Sequence, residues 1–378
     1  MRYISPYVKQ DLSKKMVFIG GPRQCGKTTL AKSLLKETPG IYLNWDSLHD
    51  KKMILNSGWA DDQKLVVFDE IHKYKNWKNL VKGYFDTENE KHHFLVTGSA
   101  RLDVYRKGGD SLLGRYHYWR LHPFSLFELP NSISPKKAMQ RLLTVGGFPE
   151  PFLSGDERQA RRWREERNSR ILRDDIRDLE GVRQIEQMAL LLELLKTRTG
   201  STISLTSLAE DLHVSSVTVG KWIEIFEKMY LIFVVRPYSK SLSRGIKKAF
   251  KVYFYDIGDV DGNEGARFEN LVASHLLQQI HFWQDYQGLK VQLCYLRDKE
   301  KHEVDFAIIL NGKVHELIEA KWSNEAPSPG LFYFAEKLHC DRKIQIVGQS
   351  SETRKKGDLL ITNPLSYFSK LREDIKTD

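Results

Sequence analysis

The octapeptide Gly21-Pro22-Arg23-Gln24-Cys25-Gly26-Lys27-Thr28 fits the spacing G-x-x-x-x-G-K-S/T in full, and Thr29 follows it directly. Glycines at the two fixed positions let successive backbone N–H groups turn toward phosphate oxygens, and the N-terminus of a following helix adds a favourable dipole. In such a loop Lys27 reaches the β and γ phosphates and the Thr28 hydroxyl ligates magnesium. Residues 21–29 are therefore the candidate contacts to a nucleotide, with ATP and magnesium as the cofactors. A glycine-rich turn that binds nothing is the alternative; a strand-like run before the loop, Met16–Gly20, and a helix opening after it argue against that. The run Leu65-Val66-Val67-Phe68-Asp69-Glu70 then ends in two carboxylates. Asp69 offers magnesium a hard oxygen, and Glu70 is placed to polarise an attacking water.

Two further groups are candidates for the same chemistry. Phe94-Leu95-Val96-Thr97 runs into Gly98-Ser99-Ala100-Arg101, where Ser99, with Thr97 behind it, would orient the water or sense the γ-phosphate; an ordinary strand-ending turn is the other reading. Arg115, in Leu113-Gly114-Arg115-Tyr116, would stabilise the transferring phosphoryl group of a neighbouring subunit. Arg101 competes for that role, and a surface ion pair is the plain alternative for either.

The elements that must position these residues follow from apolar patterning. Strand-like runs at Met16–Gly20, 41–45, Leu65–Asp69, 94–97 and 116–121 alternate with amphipathic stretches, which predicts an α/β sheet with crossover helices. At 378 residues, several domains are expected. The pattern divides into a nucleotide-binding core (1–127), a helical linker rich in arginine (128–200), a helix-turn-helix with a basic wing (201–247) and a second α/β region (248–378). Hydrophobic residues at 41% and charged residues at 29% exclude a disordered chain. No apolar run reaches the ~18 residues of a membrane span, and no apolar leader is visible, so a cytoplasmic location without membrane contact is expected. The three cysteines are too scattered for a metal knuckle or a disulfide framework. The net charge of +10 favours a polyanionic partner, DNA above all, although a solvated basic surface has the same charge.

Within the third region, Leu205-Thr206-Ser207-Leu208-Ala209-Glu210-Asp211-Leu212 reads as a short amphipathic helix. After a turn at His213-Val214, Ser215 or Ser216 would cap a second helix with Val219, Ile223 and Phe226 on its apolar face. A strand at 231–235 and the cations Lys240, Arg244, Lys247, Lys248 and Lys251 complete the pattern of a winged helix-turn-helix. Ser216, Thr218 and Lys221 would face a DNA groove and the wing cations its phosphates. Docking of protein, or packing between domains, is the competing use.

In the last region a helix carries Glu269, a strand carries Asp305, Gly312 marks a hairpin turn, and the returning strand ends in Glu319-Ala320-Lys321. Period-two geometry puts Glu319 and Lys321 on one face. This order resembles the PD-(D/E)xK nuclease superfamily. Asp305 and Glu319 would hold one or two magnesium ions, Glu269 would complete the shell, and Lys321 would position a hydroxide. Solvated acidic residues at a strand edge are the alternative, and a nuclease-like shape does not by itself entail cleavage.

The chain as a whole resembles a large prokaryotic family of AAA+ ATPases with a C-terminal domain of unknown function. The resemblance rests on the Gly21-Pro22-Arg23-Gln24 lead, Phe68-Asp69-Glu70, Thr97-Gly98-Ser99, Leu113-Gly114-Arg115 and Gly146-Gly147-Phe148-Pro149. Further along it includes Arg173-Asp174-Asp175-Ile176, Tyr253-Phe254-Tyr255-Asp256 and Glu303-Val304-Asp305-Phe306. It implies an AAA+ sheet, a helical lid over residues 128–200 and assembly into a homo-oligomer. A lid arginine that senses nucleotide is common in such proteins, but seven arginines between Arg158 and Arg173 leave that role unassigned. The expected activity is ATP hydrolysis coupled to a DNA-engaging, nuclease-like C-terminal half. The alternative is a switch or remodelling ATPase whose nuclease-like domain is silent.

Overall fold

The computed structural model describes residues 2–98, 112–130, 132–176, 184–239, 249–323 and 326–375. The chain divides into two units, Met1–Pro123 and Phe124–Asp378.

In the first unit five parallel strands, β1 (Met16–Gly20), β2 (Gly40–Asn44), β3 (Leu65–Asp69), β4 (His93–Thr97) and β5 (Tyr116–Arg120), lie in the order β2-β3-β4-β1-β5. β1 and β3 are buried at every residue, which is why they read as unbroken apolar runs: a parallel sheet is covered on both faces by its crossover helices. Phe18, Phe68, Phe94, Trp59, Trp77 and Tyr84 fill one side of the core. Because the strands are parallel, the loops after β1, β3 and β4 leave from the same edge, which gathers the loop 21–28 with Asp69 and Glu70, whereas Arg115, just before β5, lies at the opposite edge, where the Met16 N–H donates to its carbonyl.

The second unit opens with helices Pro135–Thr144, Pro149–Ser154 and Glu157–Arg170, a π-helical turn at Ile171–Ile176, and helix Ile185–Thr197. A nine-stranded sheet follows, in the order β13-β14-β12-β11-β10-β9-β7-β8-β6. Its strands are β6 (Thr202–Ile203), β7 (Ile232–Pro237), β8 (Phe250–Phe254), β9 (Val291–Arg297), β10 (Glu303–Leu310), β11 (Lys313–Lys321), β12 (Lys343–Val347), β13 (Arg354–Lys356) and β14 (Leu359–Thr362). Helices Leu205–Asp211 and Ser216–Lys228 precede β7, and the 24-residue helix Glu264–Gln287 follows β8. β7 pairs antiparallel with β8 and, at Arg236 and Pro237, parallel with β9. The sheet thus runs across the position, 247/248, where the sequence suggests a boundary.

The arginine-rich helix has two faces. Arg158, Arg161, Arg162 and Arg170 are exposed, whereas Arg164 and Arg167 point inward. Arg164 Nε lies 3.0 Å from Asp256 Oδ2, and its Nη2 donates to the Val145 carbonyl at 3.3 Å. Asp259 receives Asn168 Nδ2 at 2.9 Å and lies 3.5 Å from Arg167 Nη1. Burial, and then the neighbouring charge of Asp256, push the Asp259 carboxyl up to about 6. Gly146 closes the cluster with φ 85°; a Cβ there would stand 1.9 Å from Asp256 Oδ1. The Gly146-Gly147-Phe148-Pro149 and Tyr253-Phe254-Tyr255-Asp256 motifs therefore meet at one buried ion cluster.

Candidate functional site

The phosphate-type loop lies between β1 and helix Lys27–Leu35. Gly21 sits at φ 137° with the Leu121 carbonyl beside it, and a Cβ there would lie 2.3 Å from that oxygen. Only glycine lets the backbone pass so close. Pro22 and Cys25 are buried, Gln24 and Thr29 are exposed, and Arg23 and Thr28 are half-buried. The buried Lys27 ammonium donates to the carbonyls of Gly21 at 2.9 Å and Pro22 at 2.5 Å, which holds the charge within the loop.

Beside it, the Asp69 carboxylate at the end of β3 accepts three hydroxyl hydrogen bonds. Thr28 Oγ1 donates to Oδ2 at 2.8 Å, Tyr42 to the same oxygen at 2.5 Å, and Thr97 Oγ1 to Oδ1 at 2.6 Å. Strand order explains the convergence: β3 lies between β2, which carries Tyr42, and β4, which carries Thr97 opposite Asp69. Burial, and then the bond to Asp69, raise the Tyr42 phenol well above its ordinary value. Tyr42 escaped the sequence reading because neighbours of β3 are not visible along the chain.

Glu70 turns out of the strand at φ 58°, in the left-handed region, and its backbone N–H donates to the Thr97 carbonyl at 3.0 Å. Its Oε2 lies 3.4 Å from Lys73 Nζ and 3.6 Å from His72 Nε2, while Lys73 also pairs with Asp46 at 2.6 Å. A non-glycine residue in this conformation is held there by its surroundings, and such positions cluster at functional sites. Arg115 forks onto Asp86, with Nε at 2.6 Å from Oδ1 and Nη2 at 3.1 Å from Oδ2. Reaching another subunit would require leaving that pair. Ser99 and Arg101 lie outside the described residues.

The second unit brings Glu269, Asp305, Glu319 and Lys321 to one neighbourhood, but not as expected. Lys321 Nζ lies 2.7 Å from Glu319 Oε1, the Asp305 N–H donates to Glu319 Oε2 at 3.4 Å, and the Ala320 N–H donates to Asp305 Oδ2 at 3.1 Å. Glu269 instead accepts from Tyr253 at 2.6 Å, and Lys251 Nζ stands 3.4 Å from both Glu269 and Asp305 and 2.7 Å from Glu303. Among the described residues, the one group of three His, Cys, Asp or Glu with ligand atoms mutually within 4.8 Å is Asp298, Glu300 and His302, on the surface. The Lys251 ammonium thus stands 3.4 Å from two of the carboxylates, Glu269 and Asp305, that the sequence reading assigned to a metal shell with Glu319.

Lys251 is also a correction to the wing. Expected to contact phosphates, it is 3% exposed, because it lies on β8 where the chain turns inward. A run of cations spaced through a polar stretch hides which of them a strand will bury. Lys240, Arg244, Lys247 and Lys248 lie outside the described residues. Of the proposed groove-facing residues, Ser216 and Lys221 are exposed, while Thr218 bonds to the capping Ser215 through its N–H at 3.0 Å and its hydroxyl at 2.8 Å.

The acidic site has a pH consequence. Burial first, and the charge of Asp305 second, push Glu269 and Glu319 up from 4.5 to about 7. The folded chain then keeps these protons to higher pH than the unfolded chain, so their contribution to stability is full below 4.5 and lost as pH rises through about 7. Thermal midpoints measured across that window are expected to fall more steeply for the wild type than for Glu319→Gln; parallel curves would refute this.

Residues 13–129 match a family model described as an AAA domain. Residues 136–260 and 264–368 match two models described as domains of unknown function, DUF8612 and DUF4143. The first unit, with its loop 21–28 and the carboxylate of Asp69 beside Thr28, is thus similar to an AAA-type P-loop domain. An uncharacterized protein of Mycobacterium tuberculosis is 23% identical over 303 residues, covering 74% of this chain and 67% of its own. One of Methanocaldococcus jannaschii is 24% identical over 377 residues, covering 89% and 81%. Among solved structures, the Aeropyrum pernix Orc1 protein in complex with DNA is similar at 12% identity and a TM-score of 0.34, covering 73% of this chain and 94% of its own. No helix among the described residues is long and apolar enough to cross a membrane.

Proposed function

We propose that this chain hydrolyses ATP, with magnesium, at the loop 21–29, and that the nucleotide state governs a DNA-engaging second unit. The observation that carries the reading is the Asp69 carboxylate, fixed by three hydroxyls 2.8 Å from the Thr28 oxygen at the foot of the phosphate loop. Thr28 and Asp69 are both oxygen donors, which suits magnesium. Lys27 would bind phosphate charge, Glu70 would orient and polarise water, and magnesium would neutralise charge on the phosphates. Ser99 as a γ-phosphate sensor and Arg115 as a trans-acting arginine in a homo-oligomer complete the proposal.

For the second unit, the two helices before β7, with β6 and the β7–β8 pair, support a winged helix, and the net charge of +10 supports DNA as the partner. The β10–β11 hairpin with Asp305, Glu319 and Lys321 supports a nuclease-like fold. One observation favours a silent form over a cutting one: Lys251 Nζ stands 3.4 Å from both Glu269 and Asp305 and supplies positive charge there from within the chain.

The test incubates plasmid and linear DNA with the wild type, Lys27→Ala and Glu319→Ala, in magnesium or manganese, with and without ATP, while phosphate release is followed. DNA binding and ATP turnover without cleavage are expected. Metal-dependent cleavage lost in Glu319→Ala would replace this reading with an ATP-coupled nuclease.

A further inference from the structure

The N-terminal strap on the phosphate loop joins two places that the sequence keeps far apart. Arg2 Nη1 donates to the Cys25 carbonyl at 2.6 Å, and Arg2 Nη2 donates to the His122 carbonyl at 2.5 Å. Tyr3 donates its hydroxyl proton to the Arg120 carbonyl at 3.0 Å. The same stretch touches the loop directly: Leu121 N–H donates to the Gly20 carbonyl at 2.9 Å, Cys25 Sγ lies 3.5 Å from the Leu121 carbonyl oxygen, and Gly21 packs on that same oxygen. Residues 121–123 are the last of the first unit, from which the chain continues into the second.

The chemistry of a phosphate loop gives this contact a purpose. A loop that binds phosphate by its N–H groups must settle the carbonyls that alternate with them, and a buried carbonyl left without a donor is costly. Cys25 is wholly buried and precedes the helix cap at Gly26. A guanidinium is suited to the task, being permanently charged and able to hold two acceptors in one plane.

We propose that Arg2 is a positioning residue that couples the phosphate loop to the joint at residues 121–123, so that nucleotide binding at the loop is felt where the chain leaves the first unit. The proposal rests on the reading of residues 21–29 as a nucleotide loop. Arg2 itself touches loop and strand-exit carbonyls, and its effect on the nucleotide passes through the Cys25 peptide.

Hydrogen–deuterium exchange on the full chain, with and without magnesium-ATP, tests it with Arg2→Ala and Arg2→Lys. In the wild type, ATP is expected to slow exchange both in the segment 20–30 and in the segment 119–125. In Arg2→Ala the first protection persists, the second is weakened to what the direct Leu121 contacts still carry, and the dissociation constant for ATP rises about three- to tenfold, the worth of one to two net hydrogen bonds. Arg2→Lys, which retains the charge but not the two-pronged reach, is expected to fall between them and serves as the test should the alanine variant not fold. Equal ATP protection of segment 119–125 in wild type and both variants overturns the coupling. Protection of segment 20–30 alone in the wild type also overturns it, while leaving the nucleotide reading intact. Protection of neither segment means that the nucleotide reading has failed, and the coupling with it.

Discussion

Glu70→Gln is expected to bind magnesium-ATP as the wild type does and to turn it over about 10²- to 10⁴-fold more slowly, the usual contribution of a positioned general base. Glutamine preserves the shape of the side chain and removes its basic oxygen. The backbone that places it is fixed independently, by the Glu70 N–H to Thr97 carbonyl bond and the turn at φ 58°. In the proposed site binding would rest on Lys27, Thr28 and the loop amides, so affinity and turnover should separate: a fall in kcat without a matching change in dissociation constant is the signature of an interaction made only on the reaction path. Phosphate release and ATP titration on the same preparation check it. Turnover within threefold of the wild type would remove Glu70 from the role.

Arg164→Ala is expected to destabilise the second unit by about 3–5 kcal/mol, because removing one member of a buried ion pair leaves its partner's charge uncompensated. Asp256 is fully buried and receives Arg164 at 3.0 Å; Arg167 and Lys196 are grouped around Asp259 instead. Arg164 Nε also lies 3.8 Å from Asp259 Oδ1, so its loss removes positive charge from both carboxylates. Urea unfolding followed by near-ultraviolet circular dichroism should show the midpoint of this unit fall. The alanine variant of an outward arginine, Arg161, whose nearest acidic partner is the exposed Glu157 at 3.8 Å, should change it by less than ~1 kcal/mol. A loss under ~1 kcal/mol in Arg164→Ala would contradict this account of the cluster.

The division of labour along the arginine-rich helix was readable in principle. Ala160, Trp163, Arg164 and Arg167 recur at helical spacing and are all buried, so the inward stripe passes through two arginines. Counting cations hides this, whereas following the stripe from Trp163 reveals it. Residues close in sequence were the easiest to read. The loop 21–28 and the carboxylates at the end of β3 each lie within a few residues of a strand, and the structure places Thr28 beside Asp69. Tyr42 and Arg2 could not be found that way. Tyr42 reaches Asp69 because β2 neighbours β3, and Arg2 reaches Cys25 and His122 across 23 and 120 residues. At the second acidic site the limit is a different one. Glu319 and Lys321 share a face, as strand periodicity requires, but that rule is silent about which residues of β8 approach from the side, and Lys251 does. Alternation fixes a residue's face; the pairing of β8 with β7 and the packing of helix Glu264–Gln287 decide what that face meets.

Residues 21–29 are proposed to hold ATP, and calorimetric titration of magnesium-ATP into the wild type and Lys27→Ala puts that to the test. The wild type should bind one ATP per chain. Loss of the Lys27 ammonium, a charged donor from the middle of the loop, should weaken binding about a hundredfold, the upper worth of a charge-assisted hydrogen bond. Circular dichroism should confirm that the variant is folded. Wild-type affinity in a folded Lys27→Ala variant, or no heat of binding in the wild type, would contradict the account.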